Sequence, residues 1–272
     1  MLASSLSTLT VLDVLWISGL VALAAALGPL VLARVPSSAG RQRWLAASFA
    51  LAAGCMLAAS HLLAVRGLDD TPIAILLGAG LGLFYTYASK RFTGLDALEA
   101  EADEQLAADS APTGGAARAE RAADGDDRVL GYRLILQSVL HAAPEGVAIG
   151  VALLLEPRLG VLLAIAFALH NAGEGLGLAL YLRRWGLSSA QSACLAAAVN
   201  LSQVLFAVAA FAIASSPGAS APAIAGFASG ALLFLSVTEL LPAAYDTADK
   251  TFVAVLVSVV AGVVVWLESV IV

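Results

Sequence analysis

Residues 129–182 read VLGYRLILQSVLHAAPEGVAIGVALLLEPRLGVLLAIAFALHNAGEGLGLALYL and contain two apolar runs, 129–155 and 159–182, joined by a short polar break. An α-helix needs about 20 mainly apolar residues to cross a bilayer, and each run is long enough to do so. Each run also carries a histidine followed four residues later by a glutamate, starting at His141 and at His170. The stretch therefore predicts two consecutive membrane spans with ionisable side chains at depth.

The apolar character of this stretch continues along the whole chain of 272 residues. Hydrophobic residues make up 60% of the chain and charged residues only 12%, whereas roughly a quarter of the residues in a soluble domain are charged. Apolar runs of similar length predict eight spans, at 8–33, 42–65, 72–89, 129–155, 159–182, 188–214, 222–244 and 251–271. The predicted fold class is therefore all-α, a polytopic membrane bundle of eight transmembrane helices.

A long polar segment separates the third run from the fourth. Residues 90–128 contain ten acidic and five basic residues and few apolar ones, too little apolar surface to order a domain. We expect a flexible acidic loop with a short helix at 95–108. The chain then divides into four parts: spans 1–3 at 1–89, the loop at 90–128, spans 4 and 5 at 129–184, and spans 6–8 at 185–272.

Basic residues are distributed unevenly between the two sides that eight spans create. Arg66 and Arg158 fall on one side, and the remaining twelve of the 14 lysines and arginines fall on the other. Positively charged residues collect in cytoplasmic loops of membrane proteins. The pattern therefore predicts that both termini lie outside and that the loop 90–128 is cytoplasmic.

Ionisable side chains inside the predicted spans are few. Each needs a partner, because an ion at the bilayer centre costs about 2.5–3.5 kcal/mol on insertion scales. Three carboxylates lie near the middle of spans, namely Glu145, Glu174 and Glu239. All three histidines of the chain also lie within spans: His61, His141 and His170. These residues mark the candidate functional site.

The two histidine–glutamate pairs have helical spacing. His141 and Glu145 are four residues apart, as are His170 and Glu174, so each pair lies on one face of its helix. Imidazole and carboxylate are ligands suited to zinc, iron, manganese, cobalt or nickel, and no thiolate accompanies them. A hydrogen-bond clamp between helices or a proton relay would use the same residues. Because the spacing repeats on consecutive spans, we favour a metal site.

Prolines and glycines mark irregular or closely packed positions in the spans. Pro144 has no amide hydrogen, so it should kink span 4 and free a carbonyl beside Glu145. Pro242 should either kink span 7 or end it. Gly78, Gly80 and Gly82 in span 3 predict close contact with a neighbouring helix.

Two further sets of polar residues have less specific patterns. His61, near the outer end of span 2, is interpreted as a further ligand, as a metal-entry residue, or as an interfacial histidine that reaches water. Asn200, Ser202 and Gln203 in span 6 predict hydrogen bonds between helices.

The segments HAAPEGVAIG at 141–150 and HNAGEGLGLAL at 170–180 resemble the paired motifs of the ZIP family of metal transporters, bacterial type. Eight spans, a long loop between spans 3 and 4, and the glutamate in VTELLP at 237–242 are also similar to that family. The resemblance implies a 3+2+3 bundle in which spans 4 and 5 lie between two inverted three-span repeats. It also implies a bacterial inner-membrane location and leaves a homodimer open.

The resemblance further implies a set of transport-site ligands: His141, Glu145, His170, Glu174 and Glu239. Family members with two metals often have Asn and Asp where this chain has Ala142 and Asn171. One ligand and one negative charge are thereby lost, which favours a single principal ion. Asn171 is then expected to be a weak ligand or to support one.

These features predict transport, not enzymatic catalysis. A divalent transition-metal ion, with zinc favoured over iron, manganese or cadmium, would bind the site and be released into the cytoplasm by alternating access. The ion and the lipid bilayer are the expected partners, with no organic cofactor and no nucleic acid. The alternatives are an intramembrane metal-dependent hydrolase, disfavoured by HxxxE in place of HExxH, and a metal sensor that does not transport.

Overall fold

The computed structural model describes residues 9–34, 38–68, 71–94, 126–184 and 186–272. Within these residues the chain is helical and contains eight segments long and apolar enough to cross a membrane. We number them spans 1–8: Val11–Leu32, Arg43–Leu68, Pro72–Thr93, Ile135–Leu155, Pro157–Ala179, Ser189–Ala214, Ala221–Thr247 and Lys250–Ile271. The predicted all-α fold with eight spans is confirmed. The helix predicted at 95–108 lies outside the described residues.

Most spans are single helices that extend a few residues past the apolar run. Spans 2 to 6 lie in the helices Ser38–Leu68, Pro72–Thr93, Asp126–Leu155, Pro157–Arg184 and Ser189–Ala214, and span 8 is the helix Lys250–Ile271. Span 1 is divided into Val11–Ala24 and Leu27–Leu32. Span 7 comprises Ala221–Leu235, a π-helical turn Ser236–Leu240, and Leu241–Thr247. The helix of span 3 thus continues into the first residues of the predicted loop.

Local sequence signals explain where several spans begin and end. Span 1 begins at a capping box formed by Thr10 and Asp13, and span 6 begins at one formed by Ser188 and Gln191. These side chains satisfy amide groups that have no partner within the helix. Span 3 ends at Gly94, whose φ of 65° is the left-handed conformation that glycine adopts without strain.

Glycines allow spans 3 and 7 to pack with their backbones close together. A Cβ on Gly78 or Gly82 would collide with the backbone of span 7, and one on Gly226 or Gly230 would collide with the backbone of span 3. Around Gly80 there is nothing within 4 Å of such a Cβ. Close packing is therefore confirmed for Gly78 and Gly82, and the same prediction for Gly80 is wrong because that residue faces away from the bundle.

Contacts between spans follow a regular pattern. Spans 3 and 7 pack together, as do 2 and 8; spans 4 and 6 pack together, as do 1 and 5. Span 2 contacts span 5 and span 4 contacts span 7, while spans 1 and 6, 2 and 7, and 4 and 5 also meet. This set of contacts is unchanged when span 1 is exchanged with span 6, span 2 with span 7, span 3 with span 8, and span 4 with span 5. For example, the contact between spans 3 and 7 then becomes the contact between spans 8 and 2. Spans 4 and 5, which carry the two motifs, are largely buried.

Ionic contacts identify the parts of the chain that share one end of the bundle. Arg66, at the end of span 2, lies 2.7 Å from a carboxylate oxygen of Glu268 in span 8. Arg158, at the start of span 5, donates a hydrogen bond of 3.1 Å to the carbonyl oxygen of Ile271. Arg66 and Arg158 therefore lie at one end of the bundle, together with the C-terminal end of span 8. They are the two basic residues that the sequence places on the opposite side from the other twelve.

Candidate metal centre

Spans 4 and 5 bring two histidines and a glutamate to one buried point. One ligand atom from each of His141, Glu145 and His170 lies within 4.8 Å of the other two. Glu145 Oε1 is 2.8 Å from His170 Nε2 and 3.7 Å from His141 Nε2. The imidazole rings are nearly parallel, with their centroids 6.1 Å apart. All three side chains are buried, so the helical spacing seen in the sequence produces a compact cluster.

Several atoms of this cluster have no hydrogen-bond partner. Glu145 Oε1 and both ring nitrogens of His170 are buried without one. The 2.8 Å approach between Glu145 and His170 is therefore short but not aligned as a hydrogen bond. A buried polar atom left unpaired costs about 1–3 kcal/mol. A cation bound to Glu145 Oε1 and His170 Nε2 would satisfy both of these atoms, whereas a hydrogen-bond clamp between the helices would have paired them directly.

Glu174, the glutamate of the second motif, lies one helical turn after His170 in span 5. Its side chain is partly buried, and its Oε2 is buried without a hydrogen-bond partner. Span 5 therefore carries a second carboxylate with an unpaired oxygen on the helical face of His170, although it is not among the three converging ligand atoms.

Glu239 approaches the cluster from span 7. It lies in the π-helical turn Ser236–Leu240, and its Oε2 is 3.4 Å from His141 Nδ1. Pro242 follows and has no amide hydrogen for the carbonyl four residues earlier, so the helix widens at this turn. Because the helix resumes at Leu241–Thr247, the prediction that Pro242 ends span 7 is wrong. Glu239 thus faces the ring nitrogen of His141 that points away from Glu145.

Pro144 leaves a carbonyl free at the first motif, as its sequence position predicts. The residue four positions earlier is Leu140, next to His141. Its carbonyl oxygen accepts a hydrogen bond of 3.1 Å from Tyr85 Oη in span 3. Span 4 stays helical through the proline, since a side chain from another span replaces the missing donor.

Asn171 and Gln203 hold Glu145 in place. Asn171 Nδ2 donates to Val21 O at 3.1 Å and to Gln203 Oε1 at 2.8 Å. Gln203 Nε2 in turn donates to Glu145 Oε2 at 3.0 Å. One oxygen of Glu145 is therefore fixed by an amide, and the other is left facing the histidines.

Close packing of spans 4 and 6 makes this arrangement possible. A Cβ on Gly146 would collide with the backbone carbonyl of Gln203, so only glycine permits this approach. The sequence indicated Gln203 as one of three residues that hydrogen-bond between helices, but not that it reaches the site. The interhelical prediction is confirmed for Gln203 and for Ser202, whose hydroxyl donates to Val139 O at 3.4 Å. Asn200 instead donates within its own helix, to Ala196 O.

His61 is not brought to the cluster. Its side chain is exposed on span 2, and it is not among the residues whose ligand atoms converge. The roles of the other predicted residues as metal ligands stay predictions. Printed contacts aside from these predictions, close approaches join four of them: His141, Glu145, His170 and Glu239. Glu174 lies one helical turn after His170 in span 5, outside the three ligand atoms that converge.

Comparison with known proteins finds similarity in the part of the chain that contains the candidate metal centre. Residues 89–267, about two thirds of the chain, match the family model described as ZIP zinc transporter. The "Putative zinc transporter At3g08650" of Arabidopsis thaliana is 32% identical over 117 residues, which are 42% of this chain and 19% of that protein. The matched segment thus spans about a fifth of the plant relative. Since the family model matches well over half of the residues, the chain belongs to the ZIP zinc transporter family.

Proposed function

We propose that this protein transports a divalent transition-metal ion across a membrane, and that the ion binds at the His141–Glu145–His170 cluster. The observation that carries the proposal is the convergence of three buried ligand atoms from two neighbouring spans, two of them without a hydrogen bond. Buried polar atoms in native proteins are normally paired. Membership of the ZIP family and the name of the plant relative support the same function.

The proposed ligands are the Nε2 atoms of the two histidines, Glu145 Oε1 and a carboxylate oxygen of Glu174. Glu239 faces Nδ1 of His141, so we place it as the carboxylate that orients this ring while Nε2 binds the ion. Direct ligation by Glu239, which the family resemblance implies, is the alternative. Asn171 supports Glu145 through Gln203.

Zinc is the proposed substrate, with iron, manganese and cadmium as competitors. Two imidazoles and two carboxylates suit borderline and harder divalent ions, whereas soft ions prefer thiolates. Neither Cys55 nor Cys194, both free thiols, is among the converging ligand atoms.

We propose alternating access as the transport mechanism, with import into the cytoplasm and with spans 4 and 5 as the part that carries the ion. The main contacts between spans are unchanged when spans 1–3 are exchanged with spans 6–8 and span 4 with span 5, which supports two related three-span groups around spans 4 and 5. Ligands supplied by two or three different spans separate when the spans move, which allows release. A bacterial inner-membrane location, outside termini and a cytoplasmic loop 90–128 belong to the same proposal.

Zinc flux into liposomes tests this function. The purified chain is reconstituted, and zinc entry is followed with an internal fluorescent indicator for the native protein, His170→Ala and His61→Ala. His61 is the matched control, because it is also a histidine within a membrane span but lies outside the cluster. We expect saturable uptake that His170→Ala abolishes and His61→Ala retains. Zinc binding without flux in the native chain would instead favour the metal sensor, and equal flux in all three proteins would contradict the proposed site.

A further inference from the structure

Lys90 of span 3 and Glu239 of span 7 form a buried ion pair at the edge of the candidate metal centre. Lys90 Nζ lies 3.4 Å from Glu239 Oε1, and the two side chains are only 11% and 13% exposed. The other carboxylate oxygen, Oε2, lies 3.4 Å from His141 Nδ1. Lysine is almost never buried unless it is paired. A single carboxylate thus connects the ammonium group to the first metal-site motif.

The ion pair is close but not locked by a hydrogen bond. Glu239 Oε1 accepts none, although the ammonium group lies within ion-pair distance. The contact is therefore chiefly Coulombic. A lysine side chain carries its compact charge on a flexible four-carbon stem, so the ammonium group can shift without a movement of span 3.

The charges of the described residues around the centre balance with one divalent ion. The centre contains three carboxylates, those of Glu145, Glu174 and Glu239, and the ammonium group of Lys90 is paired with one of them. With ionised carboxylates and neutral imidazoles, one divalent ion leaves a single negative charge uncompensated, and the Lys90 ammonium group supplies the matching positive charge. A second divalent ion would leave an excess of two positive charges in a buried site, where uncompensated charge is costly.

We propose that Lys90 is the resident cation of this centre: it neutralises Glu239, limits the centre to one divalent ion, and weakens the binding of that ion by repulsion. The inference rests on the proposed function, since it concerns the ion that the centre carries. Repulsion between the ammonium group and a nearby divalent ion acts in a poorly screened interior. This repulsion makes binding of the ion weaker than it would be with three carboxylates alone. Weaker binding favours transport, because a carrier must release its ion.

Zinc binding by charge variants of Lys90 tests the inference. Affinity and stoichiometry are measured at one fixed pH in detergent for the native chain, Lys90→Met, Lys90→Gln and Lys90→Arg. Arg91→Met is the matched control, because Arg91 is the next residue of the same helix and is exposed. Metal-free thermal unfolding and size-exclusion profiles establish which variants are folded, and two neutral replacements guard against failure of either one.

We expect one zinc per native chain, and affinity increased about tenfold or more in Lys90→Met and Lys90→Gln. Lys90→Arg and Arg91→Met should stay within about twofold of native affinity, since both keep a positive charge beside Glu239. Unchanged or weaker binding in the folded neutral variants overturns the inference and leaves Lys90 as a tether between spans 3 and 7. If the native chain binds no zinc, the proposed function fails as well, so the two failures are distinguishable.

Discussion

Tyr85 Oη donates a hydrogen bond to the carbonyl oxygen of Leu140, the carbonyl that Pro144 leaves without a helical partner. The bond joins span 3 to span 4 immediately before His141. It shows how a proline beside the proposed ligand His141 is tolerated inside a membrane span, where water is not available to satisfy the freed group. The backbone irregularity next to the proposed ligand is therefore held by a side chain of another span.

Replacing Tyr85 by Phe should destabilise the protein by about 1–3 kcal/mol, the cost of leaving a buried carbonyl unpaired. It should also weaken zinc binding, because the backbone that carries His141 loses its support. Thermal unfolding in detergent and zinc titration measure the two effects. Pro144→Ala in the Tyr85→Phe background restores an amide donor and should recover most of the lost stability. Equal stability of Tyr85→Phe and the native chain would show that the bond contributes nothing.

Gln203→Ala should weaken zinc binding roughly 10- to 100-fold, the usual effect of removing a partner that orients a metal ligand. The physical reason is that Glu145 Oε2 loses its amide donor and the carboxylate is free to rotate. Asn200→Ala is the control, since Asn200 lies in the same span and donates within its own helix. Zinc titration of both folded variants measures their affinities. A larger loss of zinc affinity in Asn200→Ala than in Gln203→Ala would argue against a role for Gln203.

Gly146→Ala should destabilise the bundle by about 1–3 kcal/mol, because an added methyl group in a well-packed interior forces the backbone apart. Here the methyl group meets the carbonyl of Gln203, so spans 4 and 6 must separate. Gly80→Ala is the opposite case, with nothing near its new Cβ. That change should be neutral or stabilise the helix by about 0.5–1 kcal/mol. Similar unfolding temperatures for the two variants would contradict the packing argument.

The sequence was sufficient to predict the eight spans and the location of the metal-site candidates. Both follow from one-dimensional patterns: apolar runs of bilayer length, and a four-residue spacing that places His141 and Glu145 on one helical face. The repeat at His170 and Glu174 added the expectation that two spans share one site. These predictions depend on each helix separately, or on spans adjacent in the chain.

The contacts that support the site could not be predicted in the same way. Gln203 reaches Glu145 only because spans 4 and 6 pack at Gly146, and the sequence does not state which distant spans meet. Because Lys90 follows an apolar run, the sequence places it in the cytoplasmic loop 90–128. In the structure the helix continues to Thr93, and the Lys90 side chain pairs with Glu239 of span 7. Such contacts depend on the rotation and pairing of helices, which are decided by the packing of the whole bundle.

X-ray absorption at the zinc K edge tests the central claim most directly, because it reports which atoms surround the bound ion. The native chain loaded with one equivalent of zinc should show two imidazole ligands, with nitrogen atoms at about 2.0–2.1 Å, together with oxygen ligands and no sulfur. His170→Ala should reduce the imidazole count to one, while His61→Ala leaves the spectrum unchanged. A native spectrum without imidazole, or one that His170→Ala does not alter, would contradict the assignment of the buried cluster as the metal site.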